Sequence, residues 1–241
     1  RPVGLYGVEL MSSSWMEGDD RTMRRHNEVE TAVAQVAKDA GLGVRSGFRD
    51  TVTLFSDRLP MGGVRSALEK TASDDKTFKG IIPDLGLTIA QGEELGEVKG
   101  PRTVLGELKS CASKQLYRDH AHKPGGAMGR RSQEVVREYA KHARDLDAEY
   151  YPLARTPGPF ASALAHYPPI LTLSFGLYAE ASKGMRQYLK LVADRHARQW
   201  GLVTGLNPDA ALVAIKRDLR KRIGLEMAAR MRAQSCAVLS V

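Results

Sequence analysis

The chain has 241 residues, 42% of them hydrophobic, with a formal net charge of +8 and a sequence pI near 9.5. That is enough apolar material for one large domain or for a domain with a helical appendage, and the basic balance favours polyanionic partners such as nucleic acid. The most apolar segment, Pro169 to Tyr178, is far too short to span a bilayer, and two distant cysteines, Cys111 and Cys236, give no disulfide framework. A reducing intracellular compartment, nuclear or cytoplasmic, fits this usage. The first residue is Arg1, which suits a piece of a longer polypeptide.

Residues 1–24 show little periodicity and read as a loose lead-in. From His26 to Ala40 the residues Val29, Val33, Val36 and Ala40 mark one face of a helix that Gly41 ends, and His26 reads as a helix-start residue. Val44 to Phe55 is read as short strand pieces, Thr51-Val52-Thr53-Leu54-Phe55 among them. Leu59 to Lys79 reads as a loop with one helical turn. Gly80 to Ala90 and Thr103 to Lys109 are strands, joined by a turn-rich connection in which Glu97-Val98-Lys99 is a hairpin tip. Cys111 to Gly129 is a loop. A second helix covers Arg131 to Tyr151, with Val135, Val136, Tyr139, Ala143 and Leu146 on one stripe. After a Pro- and Gly-containing connector and a helical turn at Ala161 to His166, Ile170 to Phe175 is a buried strand. Ala179 to Trp200 and Pro208 to Gln234 are further helices, the last with a basic stretch from Lys216 to Arg232. The order is that of an α/β protein with helices packed over a small mixed sheet.

Charges interrupt two of these strands. Asp84 follows Pro83 in the first, and Glu107 and Lys109 share one side of the second, because side chains alternate along a strand. If the strands pair, two carboxylates and a lysine converge. Charge on a core strand is costly unless paired or metal-bound, and this set suits a divalent cation that activates water against a phosphodiester. Other groupings carry less. His120, His122 and Cys111 lack a fourth zinc ligand. Gly125, Gly126 and Gly129 lack the Lys-Ser/Thr of a phosphate-binding loop. Tyr150, Tyr151, Tyr188 and Trp200 at helical spacing read as core rather than as base-stacking platforms.

The Pro83-Asp84 and Glu107-Leu108-Lys109 pattern resembles the PD-(D/E)XK nuclease superfamily. A closer resemblance, from Arg25 to about Gln234, rests on Arg130-Arg131, Glu138-Tyr139, Lys141, Ala143, Asp147, Tyr150, Gly158-Pro159 and Phe175-Gly176. These residues look like the nuclease-like domains attached to reverse transcriptases and other mobile-element proteins of algae and unicellular eukaryotes. The resemblance implies a restriction-endonuclease-like αβββαβ core within residues 25–200 and a basic helical extension at 201–241. It implies a metal-dependent DNA endonuclease activity, with other domains of a polyprotein or a second copy as neighbours and no membrane. Asp84 and Glu107 would hold Mg²⁺ or Mn²⁺, with the Leu108 carbonyl as a third ligand and a helix-one glutamate, Glu28 or Glu30, as a further one. Lys109 would position water and stabilise phosphate charge, and Ser110 would support the site. Arg130, Arg131, Tyr139 and Lys141 would face nucleic acid. The alternatives are a catalytically inactive nucleic-acid-binding or assembly module on the same fold, and a protein-interaction scaffold built on the final helices.

Overall fold

The computed structural model describes residues 19–70, 78, 80–111, 126–176, 181–205 and 207–218. The elements are α1 (Asp19–Asp39), β1 (Gly43–Ser46), α2 (Phe48–Ser56), α3 (Gly63–Lys70), β2 (Leu85–Ile89), β3 (Glu94–Leu95), β4 (Val98–Lys99), β5 (Arg102–Cys111), α4 (Gly126–Tyr150), α5 (Pro159–Ala165), β6 (Leu171–Gly176) and α6 (Lys183–Thr204). Residues 208–218 form a seventh helix, α7. None of the described helices is long and apolar enough to cross a membrane.

Four strands form a mixed sheet in the order β1-β2-β5-β6, and β3 and β4 make a separate hairpin. β1 and β5 both run antiparallel to β2, while β6 is parallel to β5. Apolar residues alternate between the two faces and make two cores. On one side Leu85, Leu87, Ile89, Val104, Leu108 and Leu173 pack with Val33 and Ala37 of α1, Ala40 just beyond its end, and Tyr188 and Val192 of α6. On the other, Leu105 and Ile170 pack with Val52 and Phe55 of α2, Val135, Tyr139, Ala143 and Leu146 of α4, and Phe160 of α5. The protein is thus mixed α/β, a small mixed sheet flanked by helices, as expected.

Helix α1 ends as its sequence predicts. Gly41 takes a φ of 74°, and the amides of Leu42 and Gly41 donate to the carbonyls of Ala37 and Lys38, the paired bonds of a glycine-terminated helix. The stretch Thr51–Phe55 corrects the expectation of a strand. It lies within helix α2, with Thr51, Val52, Leu54, Phe55 and Ser56 all buried. Phe48, Val52 and Phe55 recur at helical spacing, and so many buried residues do not fit a half-exposed alternating strand. Gly86 lets Leu54 sit against β2, where a β-carbon would come within 2.6 Å of the Leu54 side chain. Three smaller corrections follow. The Leu59 to Lys79 loop holds an eight-residue helix, α3. Val136 stands exposed rather than on the α4 stripe. Asp84 sits at a bend just before β2 rather than inside a strand.

Candidate functional site

Strand register gathers the charged residues. Leu85 pairs with Gly106, and continuing that ladder by one residue sets Asp84 opposite Glu107. Alternation turns Leu85, Gly106 and Leu108 toward the α1 side, so Asp84, Glu107 and Lys109 share the opposite face, toward α4. Tyr139 of α4 covers this spot. His26 and Glu30, one turn apart on α1, reach it past the start of β2. Together they line a cleft of about 970 Å³ with Gly47, Phe48, Pro83, Glu138, Lys141, His142 and Asp145.

Each carboxylate is held. Asp84 accepts the Leu108 amide at 2.7 Å on Oδ2 and meets His26 Nε2 at 2.9 Å on Oδ1. Glu107 accepts from Lys109 Nζ on one oxygen and from the Tyr139 hydroxyl at 2.5 Å on the other. The same hydroxyl lies 3.2 Å from the Ile82 carbonyl. Glu30 Oε1 accepts the Gly47 amide at 2.5 Å. Gly47 has φ 82°, where any side chain would strain the turn that aims this amide. Ligand atoms of His26, Glu30 and Asp84 all lie within 4.8 Å of one another.

The electrostatics are those of crowded negative charge. Burial, and then the nearby charge of Asp84, push the Glu107 carboxyl above its ordinary value despite Lys109 and Tyr139. Burial and Asp84 likewise raise Glu30, against the pull of the Gly47 amide and His26. The hydrogen bond to Asp84 raises His26 above 6.5, and burial with the charges of Glu107 and Asp84 drives Tyr139 well above 10. A divalent cation would relieve this repulsion, and carboxylate oxygens with an imidazole nitrogen are donors of the kind such a cation takes.

Some anticipated residues are placed differently. Tyr139 is buried and holds Glu107 rather than presenting a ring to nucleic acid. Arg130 bonds Glu134 at 3.0 Å, and Arg131 bridges Glu134 and Glu138. Lys141 is exposed and lines the cleft. The contact of Leu108 with the site is its amide on Asp84. Of the two helix-one glutamates, Glu30 is in the cluster. The side chains of Glu28, Ser110, Cys111 and Trp200 lie outside the described residues, as do residues 1–18, the segment with His120, His122 and Gly125, and everything from 219 onward, Cys236 included. Tyr188 is core, as read: it is fully buried and its hydroxyl donates to the Val33 carbonyl. His26 is the residue that sequence reasoning passed over. The available signal was its i, i+4 spacing to Glu30.

Comparison with protein-family models, with curated proteins and with solved structures finds no match.

Proposed function

We propose that this chain is a divalent-cation-dependent phosphodiesterase that cuts DNA, built on a restriction-endonuclease-like core and belonging to a mobile-element polyprotein. The observation that carries the proposal is the meeting of Asp84, Glu107 and Lys109 with His26 and Glu30 in one cleft at a strand bend. The element order adds support. Setting aside α2, α3, α5 and the small hairpin, the chain runs helix, three strands, helix, strand, as the PD-(D/E)XK resemblance implies.

Asp84, Glu107, Glu30 and His26 would hold the cation, which when bound supplies Lewis-acid polarisation of phosphate and water. An imidazole among carboxylates suits Mn²⁺ better than Mg²⁺, which favours all-oxygen ligation. The chain's own groups do the rest. Tyr139 fixes the Glu107 carboxylate by its hydroxyl, and the Leu108 amide fixes Asp84. Lys109, with a partly exposed side chain, donates toward an attacking water or a phosphate oxygen and offsets charge gathered in the transition state. Lys141 at the rim offers a contact to the phosphate backbone.

One feature favours a non-catalytic nucleic-acid-binding module instead: all four oxygens of Asp84 and Glu107 already have protein partners. Nicking of supercoiled plasmid with Mn²⁺ or Mg²⁺ separates the two. Nicking that Lys109→Ala and Asp84→Ala both abolish, with DNA binding retained, supports the nuclease. Salt-sensitive DNA binding by a folded wild type that never nicks supports the module.

A further inference from the structure

In the parallel ladder between β5 and β6, Thr172 stands beside Glu107 and Ser174 beside Lys109. Neighbours in such a register project from the same face of the sheet, on strands about 4.8 Å apart. Leu171 and Leu173 pack with the core on the α1 side, so Thr172 and Ser174 face α4 together with Glu107 and Lys109. Thr172 is 4% exposed and Ser174 is fully buried. Among the described residues, neither hydroxyl has a hydrogen-bond partner. Their backbones are well used: the Ser182 hydroxyl accepts the Ser174 amide and donates to the Thr172 carbonyl, and the Ser182 amide donates to the Ser174 carbonyl. The two spare groups are therefore the side-chain hydroxyls alone.

Buried hydroxyls are nearly always bonded, and valine or alanine would fill these places without the polar cost. Their position suggests what they are for. Lys109 is paired directly with Glu107. If Glu107 is to hold a cation while Lys109 faces water or phosphate, that pair must open, and each side chain then loses the contact that fixed its orientation. The side chains in register beside them on β6 are Thr172 and Ser174.

We propose that Thr172 and Ser174 are positioning residues, a hydroxyl floor that steadies Glu107 and Lys109 once their direct pair opens. This rests on the nuclease reading above. Neither residue lines the cleft, so neither touches substrate; both act through the strand beside them.

The test uses the full chain, with Thr172→Val (near-isosteric, hydroxyl removed) and Ser174→Ala. Thr172→Ser and Ser174→Thr restore the hydroxyls. Plasmid nicking kinetics, thermal melting without cation and calorimetric titration with Mn²⁺ are measured on each variant and on the wild type. The expected result is a fall in kcat of about tenfold for each hydroxyl-free variant, the scale of one lost hydrogen bond in a transition state. KM stays near wild type, the cation-free melting temperature of the hydroxyl-free variants stays at or above it, and the hydroxyl-bearing variants recover kcat. Normal kcat in both Thr172→Val and Ser174→Ala, in a background where the wild type nicks, overturns the positioning role and leaves the nuclease intact. A uniform loss of melting temperature and activity that the hydroxyl-bearing variants do not restore shows a packing role only and also overturns it. A wild type that neither binds Mn²⁺ nor nicks removes the parent proposal, and this one with it.

Discussion

Two buried glutamates in this protein stand in opposite electrostatic company. Glu93, in the turn before β3, is met by Arg195 Nη1 at 2.6 Å and Arg198 Nη2 at 3.4 Å, and it accepts the Ala90 amide at 3.0 Å. Burial alone would raise its carboxyl, but the Arg195 bond, the amide and the two positive charges bring it below its ordinary value. Glu107 is buried too, and there the balance runs the other way. Burial and the charge of Asp84 outweigh Lys109 and Tyr139, and the carboxyl rises. Cations outnumber the acid at the first site. At the second, among the described residues, Glu30, Asp84 and Glu107 outnumber Lys109, even with His26 protonated. The Glu93 cluster is complete as it stands and ties the β3 turn to α6, with Arg195 also bonding the Gly41 carbonyl at the end of α1. The Glu107 cluster carries unbalanced negative charge that a further cation would neutralise.

Turnover should separate the clusters most sharply. Lys109→Ala and Asp84→Ala should each lower the nicking rate by about 10²–10³-fold or more, while Glu93→Gln should leave the rate per folded molecule near wild type. Equal losses in all three, measured on supercoiled plasmid, would erase the distinction. Next in size is the response to ligand. Mn²⁺ at a hundred times its dissociation constant should stabilise the wild type by about 2.7 kcal/mol, read as a rise in melting temperature, and Asp84→Asn should lose most of it. The same exchange at the two glutamates should then have opposite signs. Glu93→Gln leaves two arginines short of their acid and should cost about 1–3 kcal/mol in denaturant unfolding. Glu107→Gln removes a disfavoured charge and should stabilise the cation-free protein.

The smallest effect is on pH. Glu30 and Glu107 have raised values, so the folded state binds their protons more tightly than the unfolded chain. Cation-free stability should fall as pH rises from about 4.5 through those raised values. The contribution of His26 is fully present below 6.5 and is lost as pH rises through its own raised value. Glu93 runs opposite: its contribution is present above the ordinary glutamate range and is lost as pH falls through its lowered value. Unfolding curves across pH should show the alkaline decline flatten in His26→Gln and the acid decline flatten in Glu93→Gln.

Legibility in the sequence followed the range of the forces involved. Helix α1 and its glycine stop, β5, α4 and β6 were readable because periodicity and local capping fix them. Strand alternation also set Glu107 and Lys109 on one face before any contact was known. Helix α2 was misread as strand because Thr51-Val52-Thr53 favours strands locally, while its burial against β2 and β5 is a tertiary effect. Helical periodicity set Tyr139 on the apolar stripe, while the family resemblance assigned it to nucleic acid; only the approach of α4 to β5 reveals its bond to Glu107. His26 was passed over for a similar reason, since nothing local links it to Asp84, 58 residues away. The Glu93 cluster also joins residues about a hundred positions apart, and no spacing rule announces it.

Calorimetric titration of Mn²⁺ into the wild type, Asp84→Asn and Glu93→Gln tests most directly whether the cluster around Glu107 is a cation site. The charge imbalance predicts saturable binding to the wild type and to Glu93→Gln, strongly weakened in Asp84→Asn. No binding to the folded wild type, or equal binding to all three, would contradict it.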